Sequence, residues 1–79
     1  MTTVKITQGN TTTICEQIAV VTGNVLSPKS DVVPVTIMSA KSNSSWFAVV
    51  STVGQSRTFK FATELEMHTL VQSQVAFFV

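Results

Sequence analysis

The sequence predicts an α+β domain: a small, mostly antiparallel β-sheet or partly open barrel of about five or six strands, with one short helix near the C-terminus. Three observations predict it. Val, Thr and Ile dominate the chain, and β-branched side chains lose χ1 freedom in a helix but pack well on a pleated sheet. Runs of alternating apolar and polar residues are separated by turn-forming clusters. Thr63-Glu64-Leu65-Glu66 is a clear capping-box signature and marks the start of a helix.

Val4, Ile6 and Gln8 alternate with Lys5 and Thr7 before Gly9-Asn10, so a first strand is expected to turn into a hairpin over residues 1–22. Its partner, from about Thr11 to Val21, reads as a strand. A helix is the rival, because Thr13-Ile14-Cys15-Glu16 also fits a capping box and Ile14, Ile18 and Val21 fit one helical face. Residues 23–31 have the Gly, Pro, Ser, Asn and Asp content of a loop. Residues 32–62 read as a three-stranded meander. Pro34 cannot donate a ladder hydrogen bond, which places the strand from Val32 at an edge, or Pro34 at its start or at a bulge. Trp46 to Ser51 is apolar on both alternating faces and is the candidate central strand, covered on two sides. In Arg57 to Ala62, Phe59 and Phe61 share one face while Thr58 and Lys60 share the other, which is expected to be wet.

The helix is expected over residues 63–73, with Thr63 as cap and Met67, Leu70 and Val71 on the packing face. The rival here continues the strand through Leu65, Met67, Thr69 and Val71 at period two. Residues 75–79, wholly apolar, read as a terminal strand with Phe77 and Phe78 on opposite faces, buried in the domain or against a second chain.

The chain has 79 residues, 44% hydrophobic and only 11% charged, with one His and one Cys. So short a chain forms a single domain with a marginal core, which self-association would enlarge. Lys5, Lys29, Lys41, Arg57 and Lys60 are scattered and the net charge is +1, so there is no electrostatic footprint for duplex nucleic acid or an anionic membrane. No stretch has signal-peptide form or reaches the length of a membrane helix, and a lone Cys suits a reducing compartment, so a soluble cytoplasmic protein is expected. The glycosylation patterns at Asn10 and Asn43 are read as chance in that compartment.

Candidate chemistry is sparse. Gly23 to Ser30 approaches a phosphate-binding loop, but Pro28 stands where the second glycine belongs and removes a backbone donor. Cys15 and His68, with Asp31 to orient them, are the one set able to form a thiol–imidazole pair, and they leave a zinc site two ligands short unless a dimer doubles them. Glu64 and Glu66 have a sufficient explanation at a helix start. Neither an enzymatic activity nor a metal or other cofactor is therefore expected.

The remaining signal is surface. Trp46, Arg57, Phe59, Lys60, Phe61, Phe77 and Phe78 form the candidate interaction surface, and 12 Thr and 9 Ser supply uncharged hydrogen-bonding groups around it. The expectation is a small non-enzymatic protein that binds or occludes a protein partner through a sheet edge or apolar face and forms a homodimer. Its brevity suits an accessory or inhibitor protein of a phage or mobile element. The alternative is a single-stranded nucleic-acid-binding module that stacks bases on an aromatic sheet face beside Arg57 and Lys60.

Overall fold

The computed structural model describes residues 2–79. Strands β1 (Thr3–Gln8), β2 (Thr11–Leu26), β3 (Val32–Lys41), β4 (Trp46–Thr52) and β5 (Gln55–Phe61) precede one helix, α1 (Glu64–Val75). Each strand pairs antiparallel with the next, giving a meander in the order β1-β2-β3-β4-β5. The sheet curls into a half-barrel, so the expected α+β fold is the one observed.

The alternation of side chains builds two cores, one on each face. Val35 and Ile37 of β3 and Ala48 of β4 meet Met67 and Val71 of α1, with Trp46, Val50, Phe61 and Leu70 at the margins. On the face without a helix, Ile6, Cys15, Ala40 and Phe47 are nonetheless buried together. Curling the sheet on itself achieves this. Gln8 at the end of β1 donates from Nε2 to the Thr58 carbonyl of β5 at 3.4 Å, linking the first strand to the last. A register shift between Gln17 and Ala19 marks a bulge in β2, a device that bends a strand and increases its twist. β4 is covered on both faces as expected, with Phe47 and Ala48 buried toward opposite sides.

Two-residue turns join β1 to β2 and β4 to β5, where Gly9 and Gly54 hold positive φ at 63° and 77°, a conformation open to glycine without strain. The second turn is Val53-Gly54. Ser42 and Ser45 close the β3–β4 turn through the Ser42 N–H to Ser45 carbonyl bond at 2.8 Å.

Four expectations need correction. Residues 11–21 are strand as expected, but β2 continues through Leu26, so the loop expected over 23–31 shrinks to residues 27–31. Gly23, expected in the loop, lies inside the ladder opposite Val35, with the Phe78 ring occupying the space above it. Pro34 sits third in β3, an internal strand, without a bulge. Its partner Asn24 points its backbone away from β3, toward Val79, so Pro34 likewise points away from β2, on the side where β4 pairs only from Thr36 onward. The missing N–H therefore faces a gap in the ladder.

The fourth correction concerns residues 75–79. α1 continues to Val75 rather than stopping at residue 73, Ala76 keeps helical angles as C-cap, and the terminus is not a strand. The chain turns at Phe77, and Phe78 makes an isolated bridge to Val25. Val75 and Phe78 pack against the core, whereas Phe77 and Val79 are exposed. The helix outcompetes the strand because its cap is real. The Thr63 hydroxyl accepts from the Glu66 N–H at 3.2 Å, although the Glu66 carboxylate accepts from that hydroxyl at 3.0 Å instead of reaching the Thr63 amide. We expect Thr63→Ala to lower stability by about 1 kcal/mol, and Thr11→Ala, exposed and without a side-chain bond, to change it by less than about 0.5 kcal/mol in urea melts.

No helix among the described residues is long and apolar enough to cross a membrane.

Candidate apolar cleft at the end of the helix

α1 lies over β3, β4 and β5 but has only 12 residues, about 18 Å of helix, and stops before it covers the far ends of these strands. The tail then crosses back to β2, where the Val79 N–H donates to the Asn24 carbonyl at 2.8 Å and Phe78 lies over Gly23. An open cleft of about 390 Å³ remains between tail and strands. Val25 and Leu26 of β2, Val35 of β3 and Val50 and Thr52 of β4 form one side, while Gln74, Phe77 and Phe78 form the other. A second hollow of about 230 Å³ shares Val50, Thr52 and Gln74 and continues to Gln55, Arg57 and Phe59 of β5.

The chemistry of this surface follows from its residues. Its floor is aliphatic and aromatic, and its polar groups are the uncharged Thr52, Gln55 and Gln74. Arg57 is the one charged side chain in the lining and has no acidic partner among the described residues. At the lip, Leu26 and Phe77 are 58% and 68% exposed. Contiguous exposed apolar side chains of this kind are a common feature of interaction surfaces.

Of the seven side chains expected on the interaction surface, the structure gathers four here: Arg57, Phe59, Phe77 and Phe78. Phe59 and Phe61 share a face as expected, with ring centroids 6.5 Å apart and planes at 16°. Phe61 and Trp46 pack against the core beneath α1. Lys41 Nζ stands 5.5 Å from the Trp46 ring centroid, a cation–π contact. Lys60 pairs with Phe47 on the opposite face of the sheet, so it does not join the aromatics. Phe61 also floors a shallower groove along α1 with Leu65 and Leu70.

Sequence reasoning missed Val25, Leu26, Val50, Thr52 and Gln74. Reading residues 23–31 as loop hid the first two. Nothing in sequence spacing reveals where a helix stops relative to a sheet.

The other candidates are dispersed. Cys15 is buried in the helix-free core, where desolvation pushes its thiol above the ordinary range, whereas His68 is exposed on α1 across the sheet. His68 contacts Glu64 Oε1 at 3.2 Å, an exposed i,i+4 pair on the helix surface. Glu66 is occupied with the cap. In the segment resembling a phosphate loop, Ser27 Oγ accepts from the Lys29 and Asp31 amides, both at 3.2 Å. The Lys29 amide, a donor that such a loop would offer an anion, is thus already engaged. No cluster of three or more potential metal ligands occurs among the described residues.

Compared with protein-family models, curated proteins and solved structures, the chain matches none.

Proposed function

We propose that this chain is a non-enzymatic interaction protein that binds or occludes a protein partner through the apolar cleft at the end of α1. In the absence of the partner, two copies cover the same face as a homodimer. An accessory or inhibitor protein of a phage or mobile element, acting in the cytoplasm, would work in this way. One observation carries the reading: an unfilled apolar floor bordered by exposed Leu26 and Phe77, on a chain with only 11% charged residues. Fully covering a side chain of this size contributes about 1.5–3 kcal/mol, and such buried apolar anchors are the usual centre of a protein interface. The rim of Thr52, Gln55 and Gln74 supplies hydrogen bonds without fixing a charge requirement, while Arg57 supplies the one ionic contact.

Base stacking is supported less well. Trp46 and Phe61 are committed to the core under α1, and Lys60 lies across the sheet from Phe59.

The test is affinity capture from the organism that encodes the chain, run in parallel with wild type, Leu26→Asp and Phe77→Asp. Both side chains are exposed, so each variant is expected to hold its stability within about 0.5 kcal/mol while losing the captured partner. A partner retained equally by all three proteins contradicts the assignment of this face.

A further inference from the structure

The cleft and the hollow beside it form one path across the helix side of the sheet. Val50, Thr52 and Gln74 line both, with Val25 and Val35 toward β2 and β3 and Arg57 at the β5 end. Three strand spacings of about 4.8 Å separate β2 from β5, so the path is about 14 Å across. Its two ends differ in chemistry. The β2 end offers hydrocarbon, and the β5 end offers a guanidinium beside Phe59.

Alternation puts Arg57 there. It stands opposite Val50 in the β4–β5 ladder, and residues directly opposite project to the same side of a sheet, so both face the layer that α1 occupies. Arg57 is exposed, and no acidic side chain pairs with it among the described residues. The chain's four carboxylate side chains lie elsewhere. Glu16 is opposite Lys41 at the other end of the sheet, Asp31 is in the loop between β2 and β3, and Glu64 and Glu66 begin α1. Covering the apolar floor also takes water from Arg57, and a cation that loses water without gaining an anion weakens the complex. A second copy of this face brings another Arg57 and no carboxylate, so it leaves that need unmet.

We propose that the partner docks with an acidic segment: one apolar side chain fills the cleft, and an Asp or Glu about 10 Å away pairs with Arg57. The proposal rests on the reading of the cleft as a docking face and adds the chemistry of its occupant. The spacing follows from the path, because β3 and β5 are two strand spacings apart, about 10 Å, which three residues of extended chain span. The planar guanidinium fork accepts a carboxylate with paired hydrogen bonds, so the contact fixes the direction in which the segment lies. A Lys or Arg at that position of the segment would place two cations together and is rejected. The homodimer, which gives neither guanidinium an anion, yields to such a partner.

The test is selection from a displayed dodecapeptide library on the folded wild-type protein, followed by fluorescence anisotropy with a labelled peptide from the selection. We expect enriched peptides to carry an aromatic or aliphatic residue with an Asp or Glu about three positions away. Changing that acid to its amide, or Arg57→Gln in the protein, is expected to weaken binding by about tenfold, and the two changes together to weaken it little further. Arg57→Glu is expected to prefer the peptide whose acid is replaced by Lys, an exchange of preference that a merely structural role of Arg57 would not produce. Phe77→Asp is expected to abolish binding of the selected peptides. Peptides that need Phe77 but carry no acid, or that bind Arg57→Gln as tightly as wild type, overturn the acidic segment and leave the docking face standing. Peptides indifferent to Phe77→Asp overturn both. Failure to enrich any peptide overturns the acidic segment, while affinity capture still tests the face.

Discussion

Met67→Ala is expected to destabilise the protein by about 3 kcal/mol, within the range for truncating a fully buried Met. Met67 has no exposed surface and lies among Val35, Ile37, Ala48 and Val71, where the cavity left by truncation cannot be filled from solvent. The helix reaches the sheet through few side chains, and Met67 is the one with no exposed surface, so its loss removes the centre of the contact that Val71, Leu70 and Val75 complete. A domain of this size has about 4–12 kcal/mol of total stability, so the loss is a large part of it. Trp46 packs at the edge of the same cluster and reports on it directly. Urea unfolding followed by Trp46 fluorescence and by far-ultraviolet circular dichroism is expected to show both midpoints falling together. Leu65→Ala, on the exposed side of the same helix, is the control and should shift neither by more than about 0.5 kcal/mol. A Met67→Ala protein as stable as wild type would mean that α1 does not dock on β3 and β4.

Gly23→Val is expected to cost about 2 kcal/mol, in the range for overpacking a filled site. The backbone at Gly23 is ordinary strand, so conformation alone would welcome a β-branched residue there. Space forbids it, because a Cβ at this position falls on the Phe78 ring. The ring must leave, taking with it the Val25–Phe78 bridge and one wall of the cleft. The variant is therefore expected to lose partner binding as well as stability. Combining Gly23→Ala with Phe78→Ala should cost less than the sum of the two single changes, since either one alone already breaks the contact. Additivity in urea melts would show that ring and glycine are not in contact.

How much was legible in the sequence follows the range of the forces involved. The Gly9-Asn10 turn, the alternation in β5 and the Thr63 cap are local, and the structure contains all three. The two-faced apolar pattern of Trp46 to Ser51 is also local, and β4 is buried on both sides. The errors lie where a distant residue decides. Gly23 looks like a turn until Phe78 is placed over it, and Pro34 looks like an edge marker until β4 is seen to end short of it. The terminal residues 75–79 carry strand composition, but a helix already running from Glu64 adds residues at little cost and extends into them. The site was half legible for the same reason. Phe59, Phe77, Phe78 and Arg57 stood out by type, whereas Val50, Thr52 and Gln74 become part of it only because α1 ends where it does.

The central claim is that the face carrying Leu26 and Phe77 is made to be covered. Light scattering coupled to gel filtration measures this most directly, with wild type and Phe77→Asp loaded at about 100 μM, well above the micromolar affinities common for small homodimers. The account predicts a wild-type mass of twice the 8.5 kDa chain and a Phe77→Asp mass equal to one chain. A wild-type protein that remains a monomer at this concentration, or a Phe77→Asp variant that remains a dimer, would contradict it.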